Sequence, residues 1–392
     1  MAVMRTYYTG IDVGTYHVKV VIAEPPESPN LPMRILGTGT AVSKGMRYGY
    51  IIDRNEAGRS IREALGRASA AAKVNVKSAR VGMGGLGLDE IRATGEITLT
   101  SSGGIVGERE LERVERECEK KISAKLTNKT ILHRVPLEYR VDGEKVYGRA
   151  QGLQGTKLAA DTLFITMLTQ HYNEIIEAIE SIGVEVEGVM ASPLAASFVT
   201  LAKAQKTAGV VLANIGAETL SIIVFDEDTP VSVKVFPVGS SDVTNSIALS
   251  FRIPPIEAEQ LKRGAVTGSD IGPKKIYAAM APRLRDMFAL INAHLRTIGR
   301  ERLLPAGIVI TGGGSGLASA ADIARAVLRL PSQIGVIGNM TRSGSVDATW
   351  AVAYGLCQWA YAEHAGSEGY SLAAILRRAG NSIKQVLRSL LP

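Results

Sequence analysis

The sequence predicts an α/β fold made of two related halves, and three observations support this prediction. Apolar runs of strand length, such as "TLFITML" and "AGVVLANIG", alternate with segments of helical periodicity, as in α/β proteins. The stretches "TGIDVGTYHVKVVIAE" (9–24) and "LANIGAETLSIIVFDED" (212–228) share the order of strand, small-residue turn and second strand. A third turn, "VITGGGSGL" (309–317), follows another predicted strand and precedes a predicted helix near Ala318.

The composition limits the class of protein. The chain has 392 residues, enough for two or three domains. Its 46% hydrophobic and 21% charged residues exclude long disorder, and its net charge of +7 suits an anionic partner. Aromatic residues make up only 5%, which argues against extensive stacking on single-stranded nucleic acid, so no nucleic-acid partner is expected.

The two cysteines and the N-terminus indicate the compartment. Cys118 and Cys357 lie far apart without neighbours at metal-ligand spacing, so neither a disulfide framework nor a zinc site is predicted. The N-terminus lacks an apolar signal core, and no run of about 18 apolar residues occurs. A cytoplasmic protein without membrane-spanning segments is therefore expected.

Helical periodicity places helices between the strands. The predicted ranges are 54–71, 108–123, 171–182, 256–263, 282–298 and 320–329. The helix at 108–123 carries charges of alternating sign and is expected to be solvated. The helix at 282–298 carries an apolar stripe that is expected to be core; it consists of Leu284, Met287, Phe288, Ile291, Leu295 and Ile298.

The small residues in the two hairpin turns allow backbone N–H groups to approach an anion. Two such turns that face each other across a cleft can hold a polyphosphate from both sides. A glycine turn followed by a helix N-terminus suits the rest of a nucleotide. The order hairpin, hairpin, glycine turn therefore predicts a nucleotide cleft.

The C-terminal segment 370–391 is amphipathic when it is placed on a helix at about 100° per residue. Its apolar residues share one stripe, its basic residues lie opposite, and no acid follows Glu368. A surface of anionic lipid favours such a helix, because each basic residue contributes about 1 kcal/mol there and an acid would oppose binding. A helix that packs on its own domain and a helix in a partner's groove are the alternatives. The residues predicted to bind the membrane are Leu372, Ile375, Leu376, Arg377, Arg378, Ile383, Lys384, Val386, Leu387, Arg388, Leu390 and Leu391.

Several motifs resemble FtsA, a bacterial cell division family of the actin, heat-shock chaperone and sugar kinase superfamily. "GIDVGTYHVKVVIAE" resembles the first phosphate motif, and "GIVITGGGSGL" resembles the adenosine motif. "RVPLEYRVDG" with "GLQGTKLAAD" resembles the inserted subdomain, and "SFRIPPIEAEQLKRG" with "APRLRDMFALI" resembles the upper subdomain of the second lobe. The resemblance implies a two-lobed actin-like (ribonuclease H-like) fold with a small inserted α+β subdomain and a C-terminal amphipathic helix.

The resemblance also implies a division of the chain. Its parts would be subdomain 1A (1–82, 164–197 and a closing helix at 346–361), inserted subdomain 1C (83–163), subdomain 2A (198–242 and 305–345), subdomain 2B (243–304), a linker (362–370) and the membrane-targeting helix (371–392).

Roles in binding ATP and Mg²⁺ follow from the same resemblance. Asp12 would hold the magnesium, directly or through water, as suits a hard carboxylate. The nucleotide-binding set would be Asp12, Gly14, Thr15, Tyr16, His17, Asn214, Gly216, Thr219, Glu259, Lys262, Gly312, Gly313 and Gly314. Within it, Glu259 and Lys262 match positions that contact the ribose.

Three departures from the family pattern concern the phosphates. Asn214 stands where an Asp is usual, Ala217 and Glu218 stand where relatives often have Gly-Gly, and Tyr16 and His17 stand where Ser-Lys is frequent. An amide supplies no charge to a cation and takes up no proton. We therefore expect ATP to bind and its hydrolysis to be slow or absent, with no catalytic residue assigned.

The implied partners are those of a division protein at the cytoplasmic face of the membrane. They are the acidic C-terminal peptide of the tubulin-like protein FtsZ, further copies of the chain in a filament, anionic lipid and other division proteins. Arg283 matches a basic position in the FtsZ-peptide site. The alternatives are a PilM-like platform protein of type IV pili and, from another class, an actin-superfamily kinase or ATPase.

Overall fold

The computed structural model describes residues 6–28, 31–100, 103–265, 271–337 and 347–365. The strands within these ranges are β1 (Tyr8–Val13), β2 (His17–Glu24), β3 (Arg34–Val42), β4 (Met46–Arg47), β5 (Tyr50–Ile51), β6 (Ser78–Met83), β7 (Leu88–Thr98), β8 (Lys129–Val141), β9 (Glu144–Lys145), β10 (Lys157–Leu168), β11 (Glu185–Ala191), β12 (Val210–Ile215), β13 (Leu220–Asp226), β14 (Thr229–Phe236), β15 (Ile308–Thr311) and β16 (Ser332–Ile334).

Helices alternate with these strands. They are α1 (Arg54–Ala72), α2 (Glu108–Lys121), α3 (Thr169–Glu180), α4 (Ser192–Thr200), α5 (Lys203–Ala208), α6 (Ser240–Phe251), α7 (Pro255–Lys262), α8 (Pro273–Thr297), α9 (Ala320–Leu328) and α10 (Ala351–His364).

Two five-stranded sheets follow one plan. The first has the order β11-β6-β1-β2-β3 and the second has the order β14-β13-β12-β15-β16. In each, an antiparallel hairpin continues into a third antiparallel strand, and two parallel strands complete the other side. The predicted duplication is thus present as two lobes of the same topology, which we call lobe 1 and lobe 2.

One hydrophobic cluster combines the core of lobe 1 with one face of the lobe 2 sheet, including Leu212, Ile223 and Val309, and a second cluster covers the other face of that sheet. In lobe 1 the run Val20–Ala23 of β2 is completely buried, as expected for a strand covered on both faces. In lobe 2 the sheet packs against α6, α8 and α9. The predicted stripe on α8 is core, because Leu284, Met287, Phe288, Ile291 and Leu295 are all completely buried, whereas Ile298 is partly buried.

In the sequence, a third sheet is inserted between strands β6 and β11 of lobe 1. Its strand order is β7-β10-β8-β9, and α2 packs on it. The charged helix α2 is not solvated all round as expected, since Glu115 is buried and accepts a hydrogen bond from the Tyr139 hydroxyl at 2.9 Å. This sheet is the small inserted α+β unit that the sequence predicted.

The chain passes from lobe 1 to lobe 2 through α4 and α5 and returns before α10, which packs on β1 and α4 of lobe 1. The returning segment lies beside β2 and the turn after β15, since the Thr349 carbonyl accepts from Lys19 and the Ala348 carbonyl accepts from the Gly312 N–H. The cleft between the lobes is therefore bounded by residues from both halves of the chain.

The helices differ from the sequence expectations in a few places. Helix α8 begins at Pro273 rather than at 282 and keeps Pro282 inside it, because the apolar spacing continues back through Met280. Helix α9 spans Ala320–Leu328, close to the predicted 320–329, and a short 3-10 turn at 313–316 separates it from β15, so it starts two residues after the Ala318 expected from the glycine turn. Helices α4, α5 and α6 were not predicted.

None of the helices in the described ranges is both long enough and apolar enough to cross a bilayer. The amphipathic segment 370–391 lies outside the described residues.

Candidate functional site

The first hairpin turn, residues 14–16, joins β1 to β2, and Asp12 lies on β1 just before it. Asp12 pairs in register with Lys19 on β2. Burial raises the pKa of Asp12 to about 6, and the charge of Lys19 offsets only part of that rise. Within the described residues, no hydrogen bond contributes to the pKa of this carboxylate, so a bound cation would compete there only with the charge of Lys19.

Lys19 links this hairpin to the returning chain. Its Nζ donates a hydrogen bond to the Thr349 carbonyl at 2.6 Å and lies 5.7 Å from the centre of the Trp350 ring. Burial lowers the pKa of Lys19, while Asp12 and Asp347 raise it. Sequence reasoning missed Lys19; the signal was a single lysine within the apolar strand "VKVVIA".

The second hairpin turn joins β12 to β13. The Gly216 N–H donates to the Thr219 carbonyl at 2.8 Å and closes the turn. The first N–H groups of α6, from Ser240 and Ser241, donate to the carbonyls of Gly216 and Ala217 at 2.9 and 2.8 Å. The turn is therefore held in place by a helix N-terminus whose N–H groups already have partners.

The two hairpin turns meet at the backbone of Tyr48 and Gly49. Gly49 N–H donates to the Thr15 hydroxyl of the first turn at 3.0 Å. Tyr48 N–H donates to the Glu218 carboxylate of the second turn at 2.5 Å. Gly49 has φ 83°, and a Cβ there would lie 2.4 Å from the Gly85 Cα, so only glycine fits.

The glycine turn after β15 contacts the second hairpin. Gly312 has φ 85°, and a Cβ there would lie 2.1 Å from the Asn214 Oδ1. Its N–H and the Thr311 hydroxyl both donate to the Ala348 carbonyl, at 3.3 and 2.8 Å. In the described part of the chain, nothing beyond its own chain neighbours lies within 4 Å of the Cβ position of Gly313.

Glu259 and Lys262 lie on α7 beside the second hairpin. Lys262 Nζ is 2.6 Å from the Glu259 carboxylate and donates to the Thr244 hydroxyl and the Ser240 carbonyl at 2.8 and 3.1 Å. Arg263 completes the cluster through Glu259 at 2.8 Å. Burial raises the pKa of Glu259, but hydrogen bonds from Lys262 and Thr244 outweigh it and leave the pKa lowered.

Tyr16 and His17 lie at the mouth of the cleft. The rings pack edge to face, with their centres 4.6 Å apart. The Arg263 guanidinium lies 5.7 Å from the Tyr16 ring centre and bonds its hydroxyl. Burial lowers the pKa of His17, and Lys19 and Arg263 lower it further, which favours a neutral ring.

The predicted nucleotide-binding residues thus form one connected cluster between the lobes. Arg283 lies elsewhere, exposed on α8 and 3.5 Å from Asp286. The predicted membrane-binding residues lie outside the described part of the chain.

The cluster has features that suit a magnesium nucleotide. It contains a desolvated carboxylate at Asp12, two small-residue turns, and a glycine at 313 whose Cβ side no described residue covers beyond its chain neighbours. Asn214 offers an amide oxygen but no second charge. Within the described residues, no group of three or more His, Cys, Asp or Glu side chains could hold a metal without help from a ligand.

Comparisons with known proteins agree with this architecture. The family model "Cell division protein FtsA" matches residues 211–355, and the model "SHS2 domain inserted in FTSA" matches residues 87–166. The second match coincides with the inserted sheet β7–β10. The chain is 28% identical over 353 residues to cell division protein FtsA of Pseudomonas aeruginosa, covering 83% of this chain and 82% of the relative. It is 26% identical over 376 residues to FtsA of Borreliella burgdorferi, covering 90% of each.

Among solved structures, the "PilM-PilN type IV pilus biogenesis complex" has a similar fold. The TM-score is 0.69 at 18% identity, over 91% of this chain and 99% of the other. This likeness is one of fold. The two family models, the relatives that match most of the chain and the two-lobed fold with its inserted sheet lead to one conclusion: the chain belongs to the FtsA family of actin-like cell division proteins.

Proposed function

We propose that this chain is an ATP-binding, polymerising membrane adaptor that tethers FtsZ filaments to the cytoplasmic membrane during bacterial cell division. The observation that carries the proposal is the connected cluster between two duplicated lobes in a chain of the FtsA family. This cluster supports a site whose bound ligand controls the arrangement of the two lobes more than it supports an enzyme active site, because none of its described residues is assigned as a general base.

The nucleotide would be ATP with Mg²⁺. Asp12 would bind the metal, Gly14, Thr15, Gly216 and Thr219 would lie along the phosphates, and Gly312–Gly314 would lie along the adenosine. When bound, the metal supplies positive charge that neutralises the phosphates. Glu259 and Lys262 would offer the ribose a carboxylate and an ammonium that their mutual contacts hold in place.

Hydrolysis is expected to be slow or absent. The Asn214 side chain packs against the Cα of Gly312 and cannot take up a proton from water. Nucleotide would therefore act on assembly, as a ligand that favours one arrangement of the lobes.

The FtsZ partner would bind on α8 through its acidic C-terminal peptide. Arg283 is half exposed there, and Arg285 is exposed two residues later. A guanidinium at an accessible helix face suits a carboxylate-rich segment.

The membrane partner would be anionic lipid at the cytoplasmic face, bound peripherally at the division site by segment 371–392. The sequence supports this by its apolar stripe and by the absence of acids after Glu368. The inserted sheet would contact the next copy in a filament, and other division proteins would bind the assembled form.

A PilM-like platform in type IV pilus assembly is the second candidate, and the similarity of fold to the PilM-PilN structure favours it. It is the weaker one, because the relatives that resemble the chain in sequence are named as cell division proteins.

Vesicle co-sedimentation tests the adaptor function. The full chain and a version ending at Gly369 would be pelleted with anionic vesicles, alone and with FtsZ filaments. We expect the full chain to bring FtsZ into the pellet and the shortened chain to leave it in the supernatant. Neutral vesicles are the control, because they test whether binding depends on the basic residues of segment 371–392. Equal pelleting of FtsZ with both versions would refute the tether.

A further inference from the structure

Glu218 makes a direct bond between the two lobes at the place where phosphates are proposed to lie. Its carboxylate accepts the Tyr48 N–H at 2.5 Å, although the two residues are 170 positions apart. Glu218 belongs to the second hairpin turn in lobe 2, and Tyr48 belongs to lobe 1. The bond therefore depends on the arrangement of the two lobes in this structure.

The donor site in lobe 1 is a tight backbone turn. Tyr48 and Gly49 have φ values of 50° and 83°, and each uses its N–H group to donate to one of the two hairpin turns. One donates to the Glu218 carboxylate and the other to the Thr15 hydroxyl of the first hairpin turn. The carboxylate thus occupies the space between the two phosphate turns and already satisfies a donor there.

A second bond crosses the mouth of the same cleft. Arg263 of lobe 2 bonds the Tyr16 hydroxyl of lobe 1 and pairs with Glu259 at 2.8 Å. Both bonds between the lobes depend on long side chains, those of Glu218 and Arg263. A glycine or alanine at either position could not form them. The closed arrangement is therefore built from the chain's own groups.

We propose that Glu218 is an internal competitor of the nucleotide's terminal phosphate, which holds the nucleotide-free cleft closed and lowers its affinity for nucleotide. The proposal rests on the nucleotide function proposed above. A phosphate that enters between the turns meets a like charge and must displace the carboxylate from the Tyr48 N–H.

The expected effect on nucleotide affinity follows from the negative charge of the Glu218 carboxylate. Two unit charges about 4 Å apart repel by about 1 kcal/mol even in water, which corresponds to roughly a fivefold change in affinity. A triphosphate should be affected more than a diphosphate, because its terminal group carries more of the charge near the two turns.

Three full-length variants separate charge from hydrogen bonding. Glu218→Gln keeps an acceptor for the Tyr48 N–H and removes the charge, whereas Glu218→Ala removes both. Glu227→Gln removes the same charge from the exposed far end of β13 and serves as the matched control. Binding of ATP and ADP with magnesium would be measured by calorimetry, and exchange of the Tyr48 amide would be measured in nucleotide-free protein.

We expect both Glu218 variants to bind ATP at least about fivefold more tightly than the wild type, with a smaller gain for ADP and none for Glu227→Gln. The Tyr48 amide should be protected in the wild type, in Glu227→Gln and in Glu218→Gln, and should exchange faster in Glu218→Ala.

Either of two results would overturn the competitor role of Glu218 and leave the proposed nucleotide binding intact. One is measurable ATP binding with the same affinity in the wild type and both Glu218 variants. The other is Tyr48 exchange that is equally fast in the wild type and Glu218→Ala. If none of the four proteins binds nucleotide, the nucleotide function fails and the competitor role fails with it, whatever the Tyr48 amide shows.

Discussion

Asp12 and Lys19 face each other on neighbouring strands of one hairpin, and each alters the ionisation of the other. Lys19 lowers the pKa of Asp12, and Asp12 raises that of Lys19, while burial acts against both charges. Lys19 is also bound to Thr349, 330 positions away. A single residue therefore connects a proposed metal ligand to the segment where the chain returns to lobe 1.

Arg283 gives a prediction for the proposed FtsZ site. Arg283→Glu should lower affinity for the FtsZ C-terminal peptide by at least about tenfold, because an attraction between opposite charges becomes a repulsion. Fluorescence anisotropy with labelled peptide measures the change. Arg285→Glu, the same change on an exposed neighbour, is the control and should have a smaller effect. Unchanged affinity in Arg283→Glu would remove the assignment.

His133 gives a prediction for stability against pH. Burial lowers the pKa of His133 to about 3, and its Nε2 accepts the Ala191 N–H at 3.0 Å. The folded state thus favours the neutral ring, so its contribution is complete above the unfolded pKa of about 6.5 and is lost as pH falls from there toward 3. The free energy of unfolding should decrease by up to about 1.4 kcal/mol per pH unit from this residue.

Urea unfolding between pH 7.5 and 5 would measure that slope. His133→Gln, which retains an acceptor, should flatten it, whereas His364→Gln at an exposed position should not. His294 acts in the same direction, since burial, Lys234 and Arg92 lower its pKa to about 4. Equal slopes in the wild type and His133→Gln would contradict the assignment.

Whole elements were predictable where periodicity was clear. Helix α1 was expected at 54–71 and spans Arg54–Ala72, because Asp53 caps its start through the Glu56 N–H. Helix α4 was missed because its apolar residues face all round it and are buried. Helix α6 was missed because its many Ser and Thr residues favour turns in isolation, and it is stabilised by packing on α7 and α8 instead.

Two side chains on its edge strand β7, Glu90 and Arg92, bond the inserted sheet to β14 of lobe 2. Glu90 of β7 accepts the Ser232 hydroxyl at 2.9 Å and the Val233 N–H at 2.6 Å, both from β14. Burial raises the pKa of Glu90, and these two hydrogen bonds offset part of the rise. No sequence pattern on β7 or β14 indicates this pairing.

Glu90→Ala should lower the free energy of unfolding by about 1–3 kcal/mol, because it leaves the buried Val233 N–H without a partner. Urea unfolding monitored by circular dichroism measures the change. Glu96→Ala is the matched control on the same strand, since Glu96 forms an exposed pair with Lys157 at 2.9 Å that should contribute less than about 1 kcal/mol. Losses of similar size in the two variants would count against the role of Glu90.

At the scale of the whole molecule, two lobes of one topology pack together, and a third sheet, inserted in lobe 1, contacts β14 of lobe 2. Such a protomer can contact the next copy through unlike surfaces. When unlike surfaces repeat without closing into a ring, the result is an open filament. The proposed membrane segment would place each copy on the same surface.

Filament formation is the prediction at this scale. On a monolayer of anionic lipid with ATP and magnesium, electron microscopy should show ordered filaments of the full chain, because lipid concentrates and orients the protomers. The version ending at Gly369 should leave the monolayer bare. If the full chain stays as scattered particles with and without ATP, polymerisation is refuted.

The sequence by itself determined the two hairpins, the glycine turn and their order, because these features depend on local strand pairing and turn chemistry, and its resemblance to a known family implied the inserted sheet. The structure places Asp12 and Asn214 near the ends of β1 and β12, the central strands of their sheets, and Gly312 directly after β15. Only the tertiary structure decided that Glu218 bonds Tyr48, that Lys19 bonds Thr349 and that Asn214 packs on Gly312. These contacts depend on how the two lobes dock, and docking is set by packing between residues that are hundreds of positions apart.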